Sequence, residues 1–376
     1  MSADPSTMTA ELRHPPRWWQ ARSDGARLLR LGGGLVIAML VLVPFADLSV
    51  TSRDPWQELG RMLAGLASPT PGALESPLHA LILTIAFALW GTLLGALIGL
   101  PLALVYSRSR LLRGICAGLR AVHELFWALL LLQVFGLSAA TALAAITIPY
   151  AATFAKVYAE ILEQLPQAPL KALPWASSRA MRFVYAELPM AWRRMASYTR
   201  YRFECGLRAS VLLGFVGLPT LGFYLESAFR EGRYAEAGAL LWIFYLLIAT
   251  LPWWGHRRVL PVLAIASLWW LGPWPDVSPT LLWRFISHDI WPAPLVNASF
   301  ESLTSGELAT GLLQWASHLP DLLPAIGNTL LLGLLGTAGS LLIAMLLWPL
   351  ASRHVGNRLS QHSTNGLLIF LRTTPE

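Results

Sequence analysis

Apolar and polar positions alternate along this chain in long blocks, with runs of Leu, Ala, Val and Gly separated by short basic or Pro-bearing stretches. A run of about 20 mostly apolar residues is what a helix needs to cross a hydrocarbon layer about 30 Å thick. The pattern predicts about nine such spans. They fall at 31–50, 79–106, 119–137, 139–159, 199–221, 236–254, 259–272 and 324–350, with a ninth beginning near Gly366. The expected fold is therefore an all-α, polytopic membrane bundle of about 8–9 spans. Segments 51–78 and 275–320 are predicted as outer loops, and Trp269, Trp270, Trp274, Trp283 and Trp291 as an interfacial belt. Segment 160–197 stands apart. It carries Lys171, Arg179, Arg182, Arg193 and Arg194 and is too polar to span. A short amphipathic helix lying along the membrane surface is its predicted form.

One span occurs twice. Thr84–Arg108 and Thr329–Arg353 align without a gap, so that Thr84, Gly91, Thr92, Ser107 and Arg108 fall on Thr329, Gly336, Thr337, Ser352 and Arg353. A repeat of this kind predicts a duplicated multi-helix unit. The expected division is a cytoplasmic segment 1–30, a first unit 31–255 with its core at 79–254, and a partial second unit 256–376. Gly91, Gly95 and Gly99 recur every four residues on one helix face and predict close helix packing.

Composition changes the picture in two places. With 55% apolar and 13% charged residues, the chain is outside the range of soluble domains. The net charge of +7 suggests an anionic partner, but the arginines stand in short blocks between apolar runs. That is the pattern of cytoplasmic loops, so nucleic acid is set aside and Met1 and 160–197 are placed on the cytoplasmic side. Cys116 and Cys205 are expected to be packing residues. No phosphate-binding loop, metal-ligand cluster or cofactor motif occurs, so no catalytic residue is expected.

Several segments resemble a known family. Lys171-Ala172-Leu173, Ser177 and the closing Leu188-Pro189 have the spacing of the coupling loop (Glu-Ala-Ala, Gly, Leu-Pro) of ABC importer permeases, with the Glu and the Gly replaced. Tyr198–Gly217, YTRYRFECGLRASVLLGFVG, is similar to the fifth span of phosphonate and phosphite importer permeases. Leu119–Leu129, LRAVHELFWAL, resembles their third span with His123 in place of Pro, and Leu371–Glu376 repeats that motif with the Pro. Lys156 to Glu160 also fits the family pattern. The resemblance implies a type I ABC importer permease bundle in the bacterial inner membrane. Its implied cargo is a phosphonate, phosphite or related reduced-phosphorus oxyanion. Its implied partners are ATP-binding ABC subunits docked on a coupling loop at 160–190, a periplasmic substrate-binding protein, a second permease chain or a homodimer, and membrane lipid. Leu170, Leu173 and Trp175 are the expected apolar anchors of the coupling helix.

Two readings remain for the charged residues within the spans. Arg120 with Glu124, and Glu204 with Arg208, are four apart and can neutralise one another along a helix. Alternatively, Arg120, Arg202 and Arg208 face a central pathway and attract an oxyanion. Two other readings of the whole chain stay open: a truncated or accessory membrane subunit without transport of its own, and a secondary transporter.

Overall fold

In the computed structural model the described residues are 24–45, 54–70, 77–166, 168–169, 178–256, 259–271, 279–296, 306–352 and 357–373, and among them there is no strand. The helices are α1 Asp24–Leu42, α2 Pro55–Ala67, α3 Pro77–Tyr106, α4 Arg110–Ala121, α5 Glu124–Phe135, α6 Ala139–Glu163, α7 Leu188–Leu212, α8 Leu221–Arg230, α9 Tyr234–Ala249, α10 Val259–Leu268, α11 Glu307–Ala316, α12 Leu319–Ala351 and α13 Arg358–Thr373, besides shorter turns. They fall into two compact bodies. The larger holds 54–291 with 370–373, and the smaller holds 24–45 with 292–369.

Three described helices are individually long and apolar enough to cross a membrane, and up to five spans result if each of two bent pairs is one span. The three are Leu78–Tyr106, Ala139–Glu163 and the continuous stretch Glu307–Ala351. The other predicted runs are interrupted or short. The run 119–137 is broken, because α4 and α5 meet at a bend of 93°. Val122 is extended there, and the imidazole Nδ1 of His123 accepts the Leu125 N–H at 3.2 Å and so starts a new helix. The run 236–254 breaks at Thr250, just before Pro252. Part of the expected outer loop 51–78 is itself helical. Pro55 opens α2, where an absent N–H costs nothing, and α2 lies on α9 through Trp242 Nε1 donating to Leu66 O at 2.9 Å.

The core of the larger body is α3 against α6 and α7. Lipid is as apolar as Leu, so helix association in a membrane depends on close van der Waals packing. The glycine row supplies it. A Cβ on Gly91 would stand 2.6 Å from Ile146, one on Gly95 2.8 Å from Tyr150, and one on Gly99 2.5 Å from Phe154. Only glycine lets α6 seat that deeply, which is the packing role read from the sequence. A second face of α3, at Ala88 and Thr92, receives Gly206 of α7. At a third, the Thr84 hydroxyl accepts the Leu221 N–H at the start of α8, 3.0 Å away. Helix α10, placed in the second unit by sequence, packs on α3 of this body. Trp90 Nε1 donates to Ala264 O and Ser267 Oγ, both at 3.1 Å.

Candidate functional site

Helix α7 carries Arg202, Glu204 and Arg208, and the structure separates their surroundings. The Arg202 guanidinium lies over the Tyr150 ring of α6, with Cζ 4.4 Å from the centroid. Tyr150 is 1% exposed. Phe154 meets Tyr150 edge-on at 6.4 Å and Tyr198 edge-on at 5.7 Å, so the arginine is set against an aromatic wall shared by α6 and α7. Arg202 Nε is buried and has no hydrogen-bond partner among the described residues.

Magnitudes decide what this arrangement can do. An arginine at the centre of a membrane helix costs about 2.5–3.5 kcal/mol by insertion scales. A desolvated cation–π contact returns up to about 2 kcal/mol. A buried donor without an acceptor adds a further penalty of about 1–3 kcal/mol. The aromatic wall therefore orients the guanidinium without fully compensating it. The remaining donor capacity suits an anion or water, and an oxyanion would also meet a cation, since Arg keeps its charge under all ordinary conditions.

Glu204 and Arg208 are engaged with one another one turn apart, with Arg208 Nη2 and Glu204 Oε1 at 4.0 Å. Arg202 and Glu204, two residues apart, point to different sides, as helical geometry requires. Arg120 does not join the cluster as a helical partner of Glu124. The break at Val122–His123 puts the two on different helices, Arg120 Nε donates to Cys116 O at 3.1 Å, and Glu124 lies 3.6 Å from His123 Nε2. The intrahelical Arg120–Glu124 pair is thereby replaced. Tyr150 was not singled out by sequence. Its signal is the row Ile146, Tyr150, Phe154, whose spacing matches the glycine row opposite.

Leu170, Lys171, Ala172, Leu173, Trp175 and Ser177 lie outside the described residues. Leu188 is half-buried and Pro189 exposed at the start of α7. The Leu-Pro pair does not end a separate surface helix. Residues 179–187 run without a break into α7 through a π turn in which the Leu188 N–H reaches Phe183 O. Pro189 has no N–H to donate, and the wider turn takes up the mismatch. Beside this entry, the ends of α3 and α6 line a cavity of about 630 Å³ with Arg108, Glu163, Arg179 and Arg182 among its walls. Ser107 hydrogen-bonds Glu163 there, and Arg182 Nε donates to Glu187 at 2.9 Å. Among the described residues no group of three or more His, Cys, Asp or Glu could hold a metal ion.

Comparison with known proteins supplies what geometry does not. The chain is 28% identical over 196 residues to the phosphite transport system permease protein PtxC of Stutzerimonas stutzeri, covering 50% of this chain and 71% of that one. It is 27% identical over 200 residues to the phosphate-import permease protein PhnE of Mycolicibacterium smegmatis, covering 50% of this chain and 38% of that one. This chain is a homologue of phosphite and phosphonate transport permeases. Three further permeases named for phosphite or phosphonate transport match this homologue at 24 to 26% identity over 27 to 46% of its length. No family model matches. No solved structure matches either.

Proposed function

We propose that this chain is an inner-membrane permease subunit of an ABC importer for a phosphonate, phosphite or related reduced-phosphorus oxyanion. The observation that carries this reading is Arg202, a half-buried cation whose buried Nε has no partner among the described residues, fixed by Tyr150 on the wall of a helix bundle. Of its relatives, two or more are named for phosphite transport and one for phosphate import, all phosphorus oxyanions. ATP binding and hydrolysis would belong to separate subunits, docked on segment 160–190 with Leu170, Leu173 and Trp175 as apolar anchors. A helix-in-groove contact depends on such anchors more than on charges at its rim. A binding protein would deliver the oxyanion at the outer face, and rigid-body rocking would pass it across. The basic blocks put Met1 and 160–197 in the cytoplasm.

Proteoliposomes holding this chain, its ATPase, its binding protein and any companion permease, given ATP inside, test the reading. Uptake of radiolabelled phosphite or a methylphosphonate is the expected result. Arg202→Gln should abolish most of it while the purified yield stays unchanged. Uptake that is indifferent to Arg202, or specific for a cation or an uncharged solute, would sink the proposal.

A further inference from the structure

Helix α4 has three faces. Leu112, Cys116 and Leu119 form one row, which packs on Leu102 and Tyr106 of α3 and on Ala152 and Ala155 of α6. Leu111 and Ile115, one turn apart beside that row, take no part in this packing. Arg110, Arg113 and Arg120 fall on the remaining side by helical spacing, and α4 holds no acid. Arg113 and Arg120 donate to backbone carbonyls, Ser107 O at 2.8 Å and Cys116 O at 3.1 Å. Arg110 has no hydrogen-bond partner or ion pair among the described residues.

The direction and depth of this helix follow from its packing. Helix α5 stands beside α6 in the core, with Ala128 and Leu131 in the cluster of Leu143 and Ile146. Helix α4 turns 93° away from α5, so it lies across that direction. Each arginine carried into hydrocarbon lowers an insertion equilibrium by about a hundredfold, which disfavours α4 as half of a crossing helix. Tyr106 ends α3, and Ala155 lies a little over two turns before Glu163 at the end of α6, or roughly 12 Å. An amphipathic helix lying along a membrane sinks its apolar side about 5–10 Å into the boundary between headgroups and acyl chains, which matches that depth.

We propose that α4 lies in the membrane plane and binds anionic phospholipid, with acyl chains against Leu111 and Ile115 and the headgroup phosphate at Arg110. The basic blocks make this leaflet the cytoplasmic one. An anionic lipid offers an apolar part and a negative part side by side, as the two faces of α4 require. Free phosphate would meet only the arginines. The inference rests on α3 to α6, which belong to one compact body, and does not depend on the identity of the cargo.

Photocrosslinking tests the apolar half. The full chain, with Ile115 replaced by photoreactive benzoylphenylalanine, is placed in nanodiscs of phosphatidylglycerol and phosphatidylcholine, and its adducts are read by mass spectrometry. A lipid adduct several-fold above that from the same replacement at Ala117, on the basic side, is expected. No lipid adduct, equal adducts at the two positions, or a crosslink from Ile115 to another protein segment would overturn the proposal. Native mass spectrometry tests the charged half. Arg110→Gln should lower the preference for retained phosphatidylglycerol over phosphatidylcholine by about fivefold, and Arg110→Lys should keep it. Inorganic phosphate in excess should not displace the lipid. A preference indifferent to Arg110→Gln, or loss of the lipid to inorganic phosphate, would equally overturn it.

Discussion

The repeat allows one substitution to be made twice in the same protein, at Gly91 and at Gly336. At Gly91 an added methyl would stand 2.6 Å from Ile146 Cγ2 and 2.8 Å from its Cβ. An ordinary carbon contact is about 3.5–4.0 Å, so α3 and α6 must draw apart by about 1 Å there. Ile146, Tyr150 and Phe154 are buried to within 1% along that seam. A buried side chain of this size makes about 40–60 atom contacts worth ~0.1–0.2 kcal/mol each, or about 7 kcal/mol in all. If about a third of those contacts face α3 and lose about a third of their attraction, the three side chains together give up about 2–3 kcal/mol. Replacing Gly by Ala within a helix returns about 0.5–1 kcal/mol of backbone entropy. Gly91→Ala should therefore destabilise the chain by about 1–2 kcal/mol, within the usual range for overpacking. Gly336→Ala meets nothing within 4 Å and keeps only the favourable part. Reversible unfolding in mixed detergent micelles with increasing dodecyl sulfate, followed by tryptophan fluorescence, measures both. The midpoints should move in opposite directions. Equal losses at the two positions would refute the seam at Gly91 as the cause, and would mean that the Gly336 face is covered.

Three further outcomes follow from the site and the topology. Glu204→Gln removes the carboxylate 4.0 Å from Arg208 and should lower folded yield more than uptake per molecule, the reverse of Arg202→Gln; size-exclusion profiles beside transport rates separate the two. Trp175→Ala should release the ATPase from solubilised complexes, and unchanged ATPase retention and turnover would remove Trp175 from the dock. Ser177→Cys should react with an impermeant maleimide in inverted vesicles only, and labelling from the periplasmic side would reverse the topology.

What the sequence made legible depended on which physical signal each feature leaves. The α3–α6 seam was legible because close approach demands small residues at a fixed helical spacing, and Gly91, Gly95 and Gly99 display it. The pairing of Glu204 with Arg208 was legible for the same reason, since one helical turn fixes their separation. The break at Val122–His123 was not. A hydropathy window sums side chains and is blind to backbone, so 119–137 has the composition of one continuous span. What ends α4 is an extended Val122 followed by an imidazole that caps the next helix. The continuation of the helix across Leu188-Pro189 was not legible either. Proline ordinarily marks a boundary, but here the donor it lacks is absorbed by a π turn and the helix continues. Helix α2 was hidden in a segment judged by its Pro, Gly and Ser content, although Asp54-Pro55 is a plausible helix start in its own right.

The site itself was half legible, and the missing half bears on mechanism. An arginine inside an apolar run announces itself, so Arg202 was found and read as facing a pathway, but the sequence named nothing that holds it. The structure gives it an aromatic ring on another helix. A carboxylate at hydrogen-bonding distance would neutralise the guanidinium and compete with any anion that approached. Tyr150 holds the cation through its ring face, leaves the charge intact, and leaves a donor uncommitted. Because Tyr150 also belongs to the row that seats α6 against the glycines of α3, the orientation of Arg202 is coupled to that seam. Loosening the seam with Gly95→Ala, whose Cβ would stand 2.8 Å from Tyr150 Cβ, would move the ring on which the guanidinium rests. Helix packing and the placement of the Arg202 guanidinium are therefore joined at one side chain.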